Sequence, residues 1–357
     1  MSDRLYPYLL DPKLAPAIWG GDALVTRYHK VPRTAHDEAP QPLGESWECW
    51  DENAVHNGPL AGSTLGGLRA SLGAALTGPI DPARIFPVLT KIIDARTALS
   101  VQVHPNDAYA QRVEGQPNGK TECWYILACE PDAELVLGWT RDTTREEFER
   151  RVADGTLGEI LRRVPVRPGD AFYLPAGTLH AIGAGIELFE TQQASDLTYR
   201  IFDWNRVGVD GKPRPLHVQK AADVLDYRAT FPGAVEGLAY EADGLAHTLL
   251  IADRRFLVER IDVRSADSYL DSDGLPLTIT AMGAHVRVDA CGGSVVLEPW
   301  QSIVTPAVAE RIALIPGGTP TSALAVRPQP DLAAIRARAL AAGVAADVYD
   351  AFAAQFA

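Results

Sequence analysis

Four side chains stand out for what they could do together: Gln102 and His104 in "SVQVHPND", Glu122 in "GKTECWYIL" and His180 in "YLPAGTLHAI". Two imidazoles, a carboxylate and an amide oxygen form a donor set for a divalent cation, leaving a net site charge of about +1. Taken singly, each has a plainer reading. Glu122 alone fits a solvated strand residue, His180 alone a turn histidine, and Gln102 with His104 a polar outer face. Only their convergence on one point would make a metal centre, so the elements that carry them have to supply it.

Side chains alternate between the two faces of a strand, which puts Ser100, Gln102 and His104 on one face and Val101 and Val103 on the other. The same alternation sets Glu122 and Trp124 against Thr121, Cys123 and Tyr125. His180 ends the pattern G-x5-P-x-G-x2-H that begins at Gly169. There Gly and Pro shape a turn between strands and deliver the histidine at the start of the next one. In a small β-barrel the inward residues of such strands meet. His29, His36, His56, His217, His247 and His285 have no comparable grouping and read as surface or core polar residues.

Most of the chain consists of short β-branched and aromatic runs separated by Gly, Pro, Asp and Asn, which predicts a mainly β, antiparallel protein. Examples are 121–129, 133–139, 169–175, 186–192, 256–263 and 277–282. Two short helices are expected between 143 and 164, opened by capping-box pairs Thr144/Glu147 and Thr156/Glu159. A third, Ala-rich helix is expected near the C-terminus, broken at Gly343. Aligning Pro306 with Pro175 sets Trp300 against Gly169, Val308 against Gly177 and Arg311 against His180. That echo reads as a second, degenerate lobe without the histidine.

At 357 residues, 46% hydrophobic and 22% charged, the chain can bury substantial cores. A net charge of −13 argues against a nucleic-acid or anionic-membrane partner, although a local basic site could still hold a small anion. Four scattered cysteines without a CxxC pair fit reduced thiols in a cytoplasmic protein. No apolar stretch approaches 18 residues, and the N-terminus lacks the apolar core of a signal peptide.

These motifs, with "ETQQASDLTYRIFDWNR" (190–206), "WGG" (19–21) and "GESWE" (44–48), resemble the type I phosphomannose isomerases in their short bacterial form, over residues 1 to about 320. The resemblance implies two cupin-type β-barrels (jelly rolls). The first, in residues 1–235, would bind metal and carry the helical insertion near 143–164. The second, in 236–327, would be degenerate, and a helical extension would fill 328–357. It also implies one zinc per chain, held by Gln102, His104, Glu122 and His180, and interconversion of mannose 6-phosphate and fructose 6-phosphate through a cis-enediol in carbohydrate metabolism. Arg200, Lys120 and Glu190 match catalytic or near-catalytic positions, and Ser100, Lys120 and Arg200 fall where substrate would bind. The base stays open among Glu190, Lys120 and a hydroxide carried by the metal.

The chain departs from the larger forms of the family at Gly119, where those have a histidine before the lysine, so a ring-opening role for that histidine does not transfer. A sugar-phosphate-binding cupin without activity, or a non-haem iron oxygenase, would share parts of the pattern. Gln102 argues against the oxygenase, because it fills a position such an enzyme keeps open for oxygen and substrate. The expected protein is a monomer or homodimer with a small sugar phosphate as its only partner.

Overall fold

A computed structural model describes residues 4–31, 42–207, 211–230 and 233–356; His36 lies outside them. The expected strands form where the alternating runs predict them, among them Glu122–Cys129, Glu134–Trp139, Ala171–Leu174, Ile186–Gln193, Phe256–Val263 and Leu277–Met282. These strands pair antiparallel, as short strands joined by tight turns do. The chain divides into two compact units, one of residues 14–46 and 92–234, the other of 1–13, 47–91 and 235–357.

In the unit of 14–46 and 92–234, a five-stranded sheet runs in the order Tyr199–Phe202, Val101–Val103, His180–Ala181, Glu134–Trp139, Leu161–Pro165. A second sheet has Ile186–Gln193, Glu122–Cys129 and Ala171–Leu174 at one end. Trp124, Ile126, Phe172 and Leu188 from this second sheet share a core with Leu135 and Leu137 from the first and with Ile182, which follows its strand His180–Ala181. The opposite face of the five-stranded sheet presents Val101, Val103, Tyr199 and Ile201 to Phe148, Ala221 and Ala222 of two helices, Arg145–Ala153 and Val218–Val224. Burial of Val101 and Val103 under the helices fixes which way Gln102 points. It faces the other sheet.

The first insertion helix begins as its sequence predicts, with Thr144 Oγ1 accepting from Glu147 N–H. The second expectation needs correction. Leu157–Ile160 is a single 3-10 turn whose Thr156 side chain caps nothing, and the chain enters the strand Leu161–Pro165 at once. Leu161 completes a pairing with Trp139, so sheet hydrogen bonds outcompete the helical continuation that the capping-box spacing favoured.

The unit of 1–13, 47–91 and 235–357 repeats the scheme. A seven-stranded and a four-stranded sheet share a core of residues such as Ile261, Ile279, Ile303, Val288 and Leu314. Two helices, Leu332–Ala341 and Ala346–Ala353, cover Leu238, Leu249 and Leu257, and Gly343 at φ +94° separates them. Trp300, the counterpart of Gly169 in the echo, adopts φ +67° against +95° for the glycine. Among the described residues no helix is long and apolar enough to cross a membrane.

Candidate metal centre

Strand register assembles the first part of the site. His180 pairs directly with Gln102, and Gln102 on its other side pairs with Arg200, so three chemically competent residues stand in one row across three strands. Directly opposed residues on antiparallel strands share a face. Glu122 comes from the other sheet, where it lies across from Gln192 on one side and Leu174 on the other. The turn before His180 is fixed by Gly177, whose φ of +93° suits glycine and whose added Cβ would sit 2.9 Å from Val224 O. Gly177 N–H donates to His104 O, tying that turn to the second histidine.

His104, Glu122 and His180 bring one donor atom each within 4.8 Å of one another, and all three are buried. Both histidines spend Nδ1 on a backbone carbonyl: His104 on Leu197 O at 2.7 Å and His180 on Thr178 O at 2.9 Å. A ring nitrogen that donates to a carbonyl carries the proton, which leaves Nε2 of the neutral ring with its lone pair. Those two Nε2 atoms point at the carboxylate, 3.4 Å from Glu122 Oε2 and 3.2 Å from Oε1. Neither Glu122 oxygen receives a well-aligned hydrogen bond. Lone pairs converging in a buried site repel unless a cation or N–H donors lie among them; here the Lys120 ammonium and the Gln102 amide stand in that position, and the same three donors form a ligand set that fits a divalent metal.

Electrostatics keep the donors in ligand form. Burial drives the His104 imidazole down to about 3, with the Lys120 charge adding to the effect, and burial likewise lowers His180. Burial alone would raise the Glu122 carboxyl; Lys120 and the two histidines outweigh it and hold the group well below the ordinary carboxylate range.

Gln102 Nε2 stands 3.2 Å from His180 Nε2, and Ser100 Oγ donates to Gln102 Oε1 at 3.3 Å. The amide therefore turns its nitrogen toward the cluster, and ligation by Gln102 would use the opposite orientation of the same group. Lys120 Nζ lies 2.8 Å from Glu122 Oε2 and 3.2 Å from His104 Nε2, at the cluster itself. Gly119 explains the departure noted in the sequence. A Cβ at 119 would collide with Pro105 O and the Asn106 carbonyl carbon, immediately after His104, so the backbone here has no room for a histidine.

Arg200 Nε donates to Ser100 Oγ at 3.3 Å and Nη1 to Pro215 O at 3.2 Å. Among the described residues it makes no ion pair, whereas its neighbours Arg206 and Arg214 both pair with Asp203, at 2.7 and 2.6 Å. Burial, followed by the Arg214 charge, lowers its pKa, and a guanidinium in that position favours an incoming anion. Glu190 is buried, and its Oε1 accepts from Trp124 Nε1 at 3.0 Å; Trp124 in turn stands edge-on to His180, ring centroids 5.4 Å apart. The structure thus gathers Gln102, His104, Glu122, His180 and Lys120, continues through Ser100 to Arg200, and reaches Glu190 through Trp124.

Two further polar residues border the site without having been assigned to it from the sequence. Gln192 is fully buried opposite Glu122, a position legible only from the register. His217, which reads as a surface or core polar residue, contacts Arg200. His29, His56 and His285 are exposed, and His247 is buried against Glu259 at 2.8 Å.

Residues 8–133 match the family described as "Phosphomannose isomerase type I, catalytic domain". The mannose-6-phosphate isomerase ManA of Bacillus subtilis is 44% identical over 224 residues, 62% of this chain and 68% of its own length. A mannose-6-phosphate isomerase of Streptococcus mutans is 37% identical over 256 residues, covering 71% and 77%. The crystal structure of a mannose 6-phosphate isomerase from Bacillus subtilis superposes with a TM-score of 0.80 at 29% identity, covering 90% of this chain and 99% of that one.

Proposed function

The chain belongs to the type I phosphomannose isomerase family, and we propose that it interconverts mannose 6-phosphate and fructose 6-phosphate through a cis-enediol. The observation that carries this reading is the convergence of two Nε2 lone pairs on a buried carboxylate, with the Lys120 ammonium beside them. We assign one zinc per chain to His104, Glu122 and His180, with Gln102 as fourth ligand. Held by these residues, zinc would supply Lewis acidity without redox chemistry toward the sugar oxygens.

In the aldose-to-ketose direction, a proton leaves C2 and one is returned to C1, while a hydroxyl proton passes from O2 to O1. C2 is oxidised as C1 is reduced, so no external oxidant is needed. Lys120 and Arg200 supply positive charge to the developing enediolate and the phosphate, and Ser100 orients the Arg200 side chain. The C2 proton is taken either by the Glu190 carboxylate, with Lys120 as ammonium, or by Lys120 as neutral amine, in which case Arg200 supplies the positive charge. Lys120 stands at the donor cluster, while Glu190 is anchored by Trp124.

The same reading takes the compact unit of 14–46 and 92–234 as the metal-binding cupin barrel expected within 1–235, and the unit of 1–13, 47–91 and 235–357 as holding the degenerate barrel expected in 236–327 and the helical extension of 328–357. It places the protein in the cytoplasm as a monomer or homodimer. The test is a coupled assay for fructose 6-phosphate formed from mannose 6-phosphate, run in deuterium oxide. Turnover with solvent deuterium appearing at C1 or C2 is expected. A zinc-loaded protein that binds the sugar phosphate and does not turn it over would contradict isomerisation and favour a binding protein.

A further inference from the structure

Arg200 sits on an edge strand. Tyr199–Phe202 has Val101–Val103 as its neighbour on one side and, among the described residues, no strand on the other. Edge strands leave backbone N–H and C=O groups without a ladder partner, and at Arg200 a single residue takes both. Arg200 N–H donates to His217 Nδ1 at 3.3 Å, and Arg200 O accepts from His217 N–H at 2.7 Å. Pro215, two residues earlier, accepts from Arg200 Nη1. The segment 215–217 therefore acts as a one-residue substitute for a strand, grasping the arginine at its amide, its carbonyl and its guanidinium.

That segment is itself held. His217 immediately precedes the helix Val218–Val224, whose Ala221 and Ala222 pack under the sheet. Lys220 on the same helix pairs with Glu114 at 2.7 Å, and Glu114 accepts from Tyr199 O–H at 2.7 Å. The groups facing the His217 ring are thus Arg200, Tyr199, Lys220 and Glu114. Burial, together with Arg200 and Lys220, lowers the pKa of the ring, which suits the accepting role that the Arg200 amide demands of Nδ1.

We propose that His217 is a positioning residue for the isomerisation: its Nδ1 and its backbone N–H fix the main chain of Arg200, so that the guanidinium is presented in one orientation beside Ser100. The proposal rests on Arg200 acting in turnover. Asn places Oδ1 the same number of bonds from Cα as His places Nδ1, whereas Gln puts its oxygen one bond further out. Asn can replace the acceptor and Gln cannot.

The experiment compares His217→Ala, His217→Asn and His217→Gln in the zinc-loaded full chain, reading kcat, KM and hydrogen exchange at the Arg200 amide by mass spectrometry. Loss of orientation predicts that His217→Ala and His217→Gln reduce kcat about 10-fold with a smaller change in KM, and exchange the Arg200 amide at least as much faster. His217→Asn should keep both near wild type. Unchanged exchange at Arg200 in His217→Ala would overturn the proposal, as would equal impairment of the Asn and Gln variants, a comparison that survives even if the Ala variant does not fold. An Arg200→Ala variant with wild-type kcat would instead remove the catalytic assignment of Arg200, and the exchange comparison would still decide the role of His217.

Discussion

The protein buries a histidine with a glutamate in two places, and the two assemblies are built oppositely. At His247 and Glu259 the imidazole Nδ1 meets the carboxylate directly, 2.8 Å away, and Tyr240 stacks on the ring. Arg327, fully buried, approaches the other Glu259 oxygen at 3.8 Å and Asp273 at 3.4 Å, and Asp273 also pairs with Arg338 from the first C-terminal helix. Each charge there meets an opposite one. At His104, Glu122 and His180 the Nδ1 atoms are spent on backbone carbonyls and both Nε2 lone pairs face the carboxylate, whose ion-pair partner beside the imidazoles is Lys120 at 2.8 Å. A His–Glu network that closes on itself joins parts of a fold, while one whose donors converge leaves a place for a cation.

The comparison breaks most sharply at its two glutamates. Glu122→Gln removes the anionic ligand and is expected to lose both the metal, read by elemental analysis, and about 10³-fold or more in kcat. Glu259→Gln should keep both near wild type. Next in size, Arg200→Ala is expected to retain the metal and lose about 10²-fold in kcat, separating charge stabilisation from ligation. Wild-type kcat in that variant would leave Arg200 without a role in the reaction.

The closed network yields smaller effects, read as stability. Glu259→Ala removes the direct partner of the buried His247 and one of the two carboxylates beside Arg327, and should cost about 3 kcal/mol in urea unfolding, with turnover per folded molecule unchanged. Burial alone would raise the Glu259 carboxyl; His247, with Arg327 and Arg338 beyond it, outweighs burial and lowers it. A carboxyl lowered in the folded state adds stability above its unfolded pKa of about 4.3, and that stability fades as pH falls through the folded value. Glu259→Gln should therefore flatten the acid limb of the stability curve. An acid limb identical to wild type would mean that Glu259 gains nothing from its partners. Smallest of all, Arg338→Ala should cost about 1 kcal/mol, because its pair with Asp273 is partly exposed, and should loosen the helix Leu332–Ala341 in hydrogen exchange.

Much of this was legible in the sequence, and what was not has a common cause. Period-two alternation located the strands and put Gln102 and His104 on one face, because that pattern is local. The Gly-Pro turn located His180 for the same reason, with Gly177 requiring a backbone conformation few other residues tolerate. Register is not local. That His180, Gln102 and Arg200 form one row, that Gln192 lies across from Glu122, and that His217 caps an edge strand from 17 residues away depend on pairings no spacing encodes. The capping-box reading at Thr156 failed because the pairing of Leu161 with Trp139 overrode a local preference. The sequence leaves His247 as either a surface or a core polar residue, because its partners Glu259 and Arg327 come from other strands and carry no motif.

The most direct test of the central claim follows metal content and isomerase turnover in the same samples during chelation and re-addition of zinc. The account predicts that fructose 6-phosphate formation falls in proportion to metal removed and returns in full at one zinc per chain, while a Glu122→Gln sample neither retains zinc nor recovers. Undiminished turnover in protein stripped of metal would contradict it.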